Sequence, residues 1–170
     1  MSENNLYENF PIWIPILIIF VSIITYIIGA FILIGFGIIF SILYLIYCFF
    51  VEIFVVLRSC KHCYYYNKVC GFGKGKIASL FLKKGDTKKF IDRKITFSDL
   101  IPDFLVFIFP IIGGSILSIL DFSFMRIGLI ILFAIISFGG TAIIRGKLVC
   151  KYCKQSKIGC PALQFFSRKK

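Results

Sequence analysis

Residues 11–57 read PIWIPILIIFVSIITYIIGAFILIGFGIIFSILYLIYCFFVEIFVVL, and Glu52 is the only charged residue among them. A helix rises about 1.5 Å per residue, and about 20 residues cross the hydrocarbon core of a bilayer. The stretch is therefore long enough for two crossings and must turn back on itself. The glycines at positions 29, 35 and 37 mark the turn. We predict one helix over residues 12–32 and a second over residues 36–57.

Residues 100–147 form a second apolar block on the same plan. Asp121, Ser123 and Arg126 interrupt this block, and charges of this kind belong near water, so they mark its turn. Hydrophobic residues make up 59% of the chain, and the mean hydropathy of +0.93 is typical of an integral membrane protein. The predicted fold class is an all-α membrane protein with four transmembrane helices in two tandem hairpins, each followed by a cytoplasmic cysteine-rich metal-binding loop.

The predicted organisation has five parts. They are a cytoplasmic N-terminus (1–10), a first hairpin (11–57), a basic cytoplasmic loop (58–99), a second hairpin (100–147) and a cytoplasmic tail (148–170). Glu3 and Glu8 without any lysine or arginine before residue 11 argue against a signal peptide, so we expect the first helix to be retained. Within the basic loop, Ile77–Lys84 has one apolar face with lysines beside it, which predicts a helix lying on the membrane surface.

Basic residues predict the orientation. Eleven of the 20 lysines and arginines lie between Arg58 and Lys94, eight more lie between Arg145 and Lys170, and Arg126 is the remaining one. Four crossings place both rich segments on one side, and the positive-inside rule makes that side cytoplasmic. We therefore expect a protein of the cell membrane with both termini in the cytoplasm. The net charge of +12 attracts anionic headgroups and does not by itself indicate nucleic-acid binding.

Six of the seven cysteines form two matched triplets with the pattern C-x-x-C-x6-C. The first triplet is Cys60, Cys63 and Cys70, and the second is Cys150, Cys153 and Cys160. Clustered thiols in a reducing compartment bind metal or perform redox chemistry more often than they form structural disulfides. Because each triplet is one ligand short of a tetrahedral site, we predict that the two triplets meet at a shared zinc site.

The duplicated C-x-x-C-x6-C pattern resembles the cysteine arrangement of the fungal binuclear zinc cluster. That resemblance covers only the two eleven-residue cysteine segments, which here are separated by two membrane helices rather than by a short loop. It implies two zinc ions sharing six thiolates, with Cys60 and Cys150 as the bridging ligands, and carries no DNA-binding function. The alternative is one zinc ion held by Cys60, Cys63, Cys150 and Cys153. An iron–sulfur cluster or metal-free redox thiols also remain open.

Residues outside the triplets give weaker signals. Glu52 lies about two turns inside the second helix, where a charge is costly, and is predicted to form an intramembrane ion pair with Arg145. Cys48 is interpreted as a packing residue. The tyrosines at positions 44, 47, 64, 65 and 66 suit an aromatic belt at the membrane boundary. His62, inside the first C-x-x-C, is expected to lie beside the metal site rather than in it.

No pattern for nucleophilic catalysis is present, so the leading hypothesis is not an enzyme. The sequence favours a small membrane protein whose cytoplasmic zinc site joins two repeats and serves a structural or interaction role. Its partners would be anionic lipid, another protein or a second copy of the chain, with nucleic acid disfavoured. The alternative is a membrane redox protein, either an iron–sulfur electron carrier or a thiol oxidoreductase. A third hypothesis is a small transporter that uses Glu52.

Overall fold

The structure is a computed structural model, which describes residues 6–92 and 96–161 of the chain. The described residues form α-helices joined by turns and short 3₁₀ and π segments, with no β-strand among them. The α-helices are α1 (Trp13–Leu33), α2 (Ile38–Arg58), α3 (Lys74–Phe81), α4 (Thr87–Ile91), α5 (Phe97–Leu120), α6 (Phe124–Ala134), α7 (Thr141–Ile143) and α8 (Lys154–Gly159). Segments Ile135–Gly140 and Ile144–Val149 are π-helical and continue the helix that begins with α6.

Four helical stretches within the described residues are long and apolar enough to cross a membrane: Trp13–Phe36, Ile38–His62, Phe97–Leu120 and Phe124–Tyr152. Their exposed surfaces carry large apolar side chains, including Phe49 and Ile39, which water would not accommodate. The prediction of an integral membrane protein with four spanning helices is therefore confirmed at the level of helix number, length and composition.

The turns between the spanning helices lie at Gly35 and Gly37 and at the polar residues around Asp121, whereas the prediction that Gly29 belongs to the first turn is wrong because Gly29 lies inside α1. A 3₁₀ turn at Ile34–Phe36 and Gly37 separates the first two helices, and Gly37 adopts a φ of +119°, which L side chains rarely adopt. In the second block, Arg126 donates hydrogen bonds to the carbonyl oxygens of Leu117 and Asp121, both at 2.7 Å. These bonds satisfy carbonyl groups at the end of α5.

The chain divides into two compact units. One unit, which we call the span unit, comprises Phe20–Glu52 and Ser98–Ala142. The other, the cysteine unit, comprises Met1–Ile19, Ile53–Phe97 and Ile143–Lys170 and contains both cysteine triplets. The triplets therefore lie in the same unit although ninety positions separate them in sequence.

A tyrosine compensates for a proline inside the core of the span unit. Pro110 lies in the interior of α5 and has no N–H, so the carbonyl of Val106, four residues earlier, loses its helical partner. The hydroxyl of Tyr44 donates a hydrogen bond to that carbonyl at 3.1 Å. Tyr44 is 4% exposed and packs with Cys48 and Val106. The packing role predicted for Cys48 is confirmed, whereas the prediction that Tyr44 belongs to an aromatic belt is wrong.

This arrangement predicts a coupled effect of two substitutions. Tyr44→Phe leaves the buried Val106 carbonyl without its partner and should destabilise the protein by about 1–3 kcal/mol. In a Pro110→Ala background the helical N–H returns, so Tyr44→Phe should cost much less. Thermal unfolding of the four proteins in detergent measures the coupling. Equal costs of Tyr44→Phe in both backgrounds would show that the hydroxyl does not replace the missing amide.

Glycine pairs in the second hairpin differ in their surroundings. A Cβ built on Gly113 would lie 2.7 Å from Leu33, and one built on Gly114 would lie 2.8 Å from Ile32. These glycines allow α5 to approach the first hairpin closely, as their small size predicts. Gly139 and Gly140 do not serve a close approach of this kind, because nothing lies within 4 Å of a Cβ at either position.

Candidate functional site

The two C-x-x-C turns have the same backbone conformation. Each begins with a short 3₁₀ segment, Cys60–His62 in the first copy and Cys150–Tyr152 in the second. The N–H of the second cysteine then donates to the carbonyl of the first, at 3.3 Å in one turn and 3.4 Å in the other. Cys63 and Cys153 both have extended backbones. Repeated sequence thus gives repeated local structure.

The two turns contact each other through a reciprocal pair of hydrogen bonds. The N–H of Tyr64 donates to Oε1 of Gln155 at 2.8 Å, and the N–H of Lys154 donates to the hydroxyl of Tyr65 at 2.9 Å. In each bond the donor directly follows the second cysteine of one turn, and the acceptor is two residues after the second cysteine of the other. The expectation that the two cysteine segments touch is confirmed.

Both acceptor side chains are buried. Tyr65 and Gln155 are each 2% exposed, and each makes a second hydrogen bond. Tyr65 donates to the carbonyl of Tyr7 at 2.6 Å, while Nε2 of Gln155 donates to the carbonyl of Gly159 at 2.9 Å. Since a buried polar group without a partner is costly, these bonds fix the two turns in one arrangement.

The residues that precede α1 hold both turns together. The N–H of Tyr7 donates to the carbonyl of Tyr152 at 3.1 Å, and the N–H of Phe10 donates to the carbonyl of Val69 at 2.9 Å. Glu8 forms an ion pair with Lys154. Because Lys154 stabilises the charged form of the carboxylate, the pKa of Glu8 lies below its usual value. The segment predicted as a plain N-terminus is therefore part of the site.

Burial controls the protonation of the second cysteine in each turn. Desolvation is the main reason that the pKa of Cys63 is raised to about 12; a hydrogen bond from the Tyr65 amide lowers it, and the neighbouring Cys153, Cys70 and Cys60 contribute to the rise. Burial also raises the pKa of Cys153, while the amides of Ser156 and Gln155 lower it. Both thiols therefore keep their protons at neutral pH unless a cation replaces them.

The third cysteine of the first triplet, Cys70, accepts a hydrogen bond from a backbone amide. The N–H of Gly75 donates to Sγ of Cys70 at 3.2 Å, at the first turn of α3. Cys63, Cys70 and Cys153 all pack around the core formed by Phe10, Ile14, Ile18, Tyr65 and Val149.

The structure brings the cysteine segments together without arranging their side chains as a coordination shell. Among residues 6–92 and 96–161, no group of three or more histidine, cysteine, aspartate or glutamate side chains is positioned to hold a metal ion. All seven cysteines are free thiols, and Cys150 is the exposed one. Ion binding therefore requires the sulfur atoms to converge from the positions that the structure gives them.

The structure gives contacts for three further residues that the sequence singles out: His62, Glu52 and Arg145. Nδ1 of His62 lies 3.0 Å from the carbonyl oxygen of Asp86, outside the contact between the turns. Glu52 accepts a hydrogen bond of 2.6 Å from the hydroxyl of Tyr26, and the guanidinium of Arg145 lies 5.3 Å from the centre of the Phe72 ring. The ion pair between Glu52 and Arg145 stays a prediction.

Sequence reasoning missed Tyr65 and Gln155 as site residues. The prediction that Tyr65 belongs to an aromatic belt is wrong, because Tyr65 lies in the core of the cysteine unit. Gln155 carries no sequence signal of its own, because it is a single polar residue among lysines. The only signal for either is the shared position two residues after the second cysteine of each turn.

Comparison of the chain with protein-family models, curated proteins and solved structures gave no match.

Proposed function

We propose that this protein is a small integral membrane protein whose paired C-x-x-C turns bind zinc and thereby join its two halves. The role is structural or interactive rather than enzymatic: the zinc site stabilises the cysteine unit, which presents a basic surface to a protein partner or a second copy. Zinc binds as one ion through Cys60, Cys63, Cys150 and Cys153, or as two ions that also use Cys70 and Cys160.

The observation that carries this proposal is the reciprocal contact between the two turns. It brings two C-x-x-C motifs next to each other, and four thiolates are a complete ligand set for tetrahedral zinc. Hydrogen bonds from Tyr64 to Gln155 and from Lys154 to Tyr65 hold the motifs in register. Lysines in and beside the turns offset the negative charge that a zinc–thiolate centre carries.

Burial of the thiols favours zinc over thiol redox chemistry. A reactive cysteine needs an accessible thiolate. Burial raises the pKa of Cys63 to about 12, and it also raises the pKa of Cys153. Such thiols are poor nucleophiles at neutral pH. They become good ligands when a bound cation displaces the protons.

Zinc titration of the metal-free protein at several pH values tests the proposal. Each displaced proton should increase the apparent affinity by about tenfold per pH unit. Because the pKa of Cys63 is raised, its contribution to this slope should continue through the neutral range. Competition with a zinc-binding dye measures the affinity, and a Cys48→Ala variant should give the same curve. Failure to bind zinc, or an affinity that does not change with pH, contradicts the proposal.

The proposed location is the cell membrane, with both termini and both cysteine segments in the cytoplasm. The positive-inside rule supports this orientation, since Arg126 alone lies at the opposite end of the second hairpin. An impermeant thiol reagent applied to intact cells should modify Ser123→Cys and spare Lys89→Cys, with the modified site identified by peptide mass spectrometry. Permeabilised cells should show both sites modified. The reverse pattern in intact cells would reverse the orientation.

A further inference from the structure

Helix α3 is fixed firmly to the first cysteine segment by one of its faces. A Cβ on Gly75 would lie 2.3 Å from the carbonyl oxygen of Tyr65, so the helix backbone packs directly against that segment. Ala78, one turn later on the same face, is fully buried. The hydroxyl of Tyr66 donates to the carbonyl of Leu82 at 2.6 Å and holds the chain just after the helix. The orientation of α3 is therefore set by packing.

The opposite face of α3 is apolar and exposed. Leu80 and Phe81 are 78% and 80% exposed, and Ile77 is 45% exposed. Gly75 and Ala78 pack against the protein and so fix the rotation of the helix about its axis. The side that carries the three apolar residues therefore faces away from the protein. Three large apolar side chains on one face of a two-turn helix form a surface that water disfavours.

Lysines surround this apolar face. Lys76 lies on the helix, and Lys83 and Lys84 follow directly after it, all three exposed. An apolar face bordered by lysines matches the boundary of a bilayer with anionic lipids, where acyl chains meet phosphate groups. Charge complementarity thus favours anionic phospholipid over a neutral surface.

The beginning of α3 also lies beside a membrane-spanning helix. A Cβ on Gly73, the residue that precedes α3, would lie 2.9 Å from Ile19 and 3.4 Å from Pro15. Both residues belong to the first turns of α1, which opens the candidate span Trp13–Phe36. The beginning of α3 therefore lies beside the first two turns of this candidate span.

We propose that α3 is a binding site for anionic phospholipid, with Ile77, Leu80 and Phe81 inserted among the acyl chains and Lys76, Lys83 and Lys84 contacting the headgroups. The site rests on the membrane placement in the proposed function and not on zinc. It would fix the cysteine unit against the membrane surface and make its position sensitive to the lipid charge.

Tryptophan fluorescence in the full-length protein tests this site. Trp13 is the only tryptophan, so Trp13→Phe combined with Phe81→Trp gives a single probe on the apolar face. The protein is reconstituted into vesicles of phosphatidylcholine, with or without phosphatidylglycerol, containing lipids brominated on their acyl chains. We expect strong quenching with phosphatidylglycerol. Adding Lys83→Gln or Lys84→Gln should lower the ratio of inserted to detached helix by about fivefold for each lysine.

A matched control places the probe elsewhere in the same loop. Trp13→Phe with Lys89→Trp puts tryptophan at an exposed position of α4 and should show little quenching. Absence of quenching for the Phe81→Trp protein in both lipid mixtures overturns the proposal and assigns this face to a protein partner. Equal quenching with and without phosphatidylglycerol overturns the anionic-lipid specificity. Zinc content measured on the same samples separates failure of this inference from failure of the zinc proposal.

Discussion

Replacing Cys63 or Cys153 with serine is expected to remove zinc from the protein and lower its melting temperature together. Each is a half-buried thiol in the contact between the two turns, and a tetrahedral site that loses one of four thiolates loses most of its affinity. Structural zinc sites contribute about 10–16 kcal/mol of apparent binding free energy in small zinc-finger peptides, so the effect on folding should be large. Elemental analysis and thermal unfolding of the detergent-solubilised variants measure both quantities.

Cys48→Ala provides the matched control for these variants. Cys48 is also a buried cysteine, 2% exposed, but it packs in the core of the span unit. Its replacement should lower stability without changing zinc content. A strong chelator should bring the melting temperatures of the wild-type and Cys63→Ser proteins close together. If the difference persists in chelator, or if Cys63→Ser retains its metal, the zinc site does not join the halves as proposed.

Gln155→Leu is expected to destabilise the cysteine unit although it removes no metal ligand. The substitution leaves the N–H of Tyr64 and the carbonyl of Gly159 without their side-chain partner. Each lost hydrogen bond should lower the free energy of unfolding by about 1–3 kcal/mol. Leucine is similar in size, so the loss comes from hydrogen bonding rather than from a cavity. Thermal unfolding in detergent should show the decrease, and zinc affinity should fall with it because the turns lose their register.

Ser79→Ala is the control for Gln155→Leu. The Ser79 hydroxyl donates to Asn67 at 3.1 Å on the exposed surface of the same unit. Its removal should change stability by less than about 0.5 kcal/mol, since water replaces the lost partner. If Gln155→Leu proved as neutral as Ser79→Ala, the reciprocal hydrogen bonds would not hold the two turns together.

The four spanning helices could be predicted because their signal is local. Helix length follows from the thickness of the bilayer, and the turns follow from Gly37 and from Asp121 with its polar neighbours. Contact between the cysteine segments could also be predicted, because a three-cysteine set lacks a ligand and the matching set lies at the same end of its hairpin. These inferences need only composition, spacing and the number of crossings.

The remaining features depend on contacts between residues distant in sequence. Tyr44 pairs with the carbonyl that Pro110 leaves free, 62 positions along the chain, and nothing near Tyr44 indicates that role. Tyr65 lies in a run of three tyrosines that an aromatic belt explains equally well from local pattern. Tyr7 and Glu8 join the site because the chain before α1 folds back along both turns. Local propensity contains no information about such pairings.

Metal content and the visible spectrum of protein purified without oxygen test the central claim most directly. We expect a colourless protein that contains about one or two zinc ions per chain and melts at a lower temperature after chelation. A brown protein that bleaches on reduction would contradict the account in favour of an iron–sulfur electron carrier. A metal-free protein with six reduced triplet thiols, whose melting temperature does not respond to added zinc or to chelator, would contradict it as well.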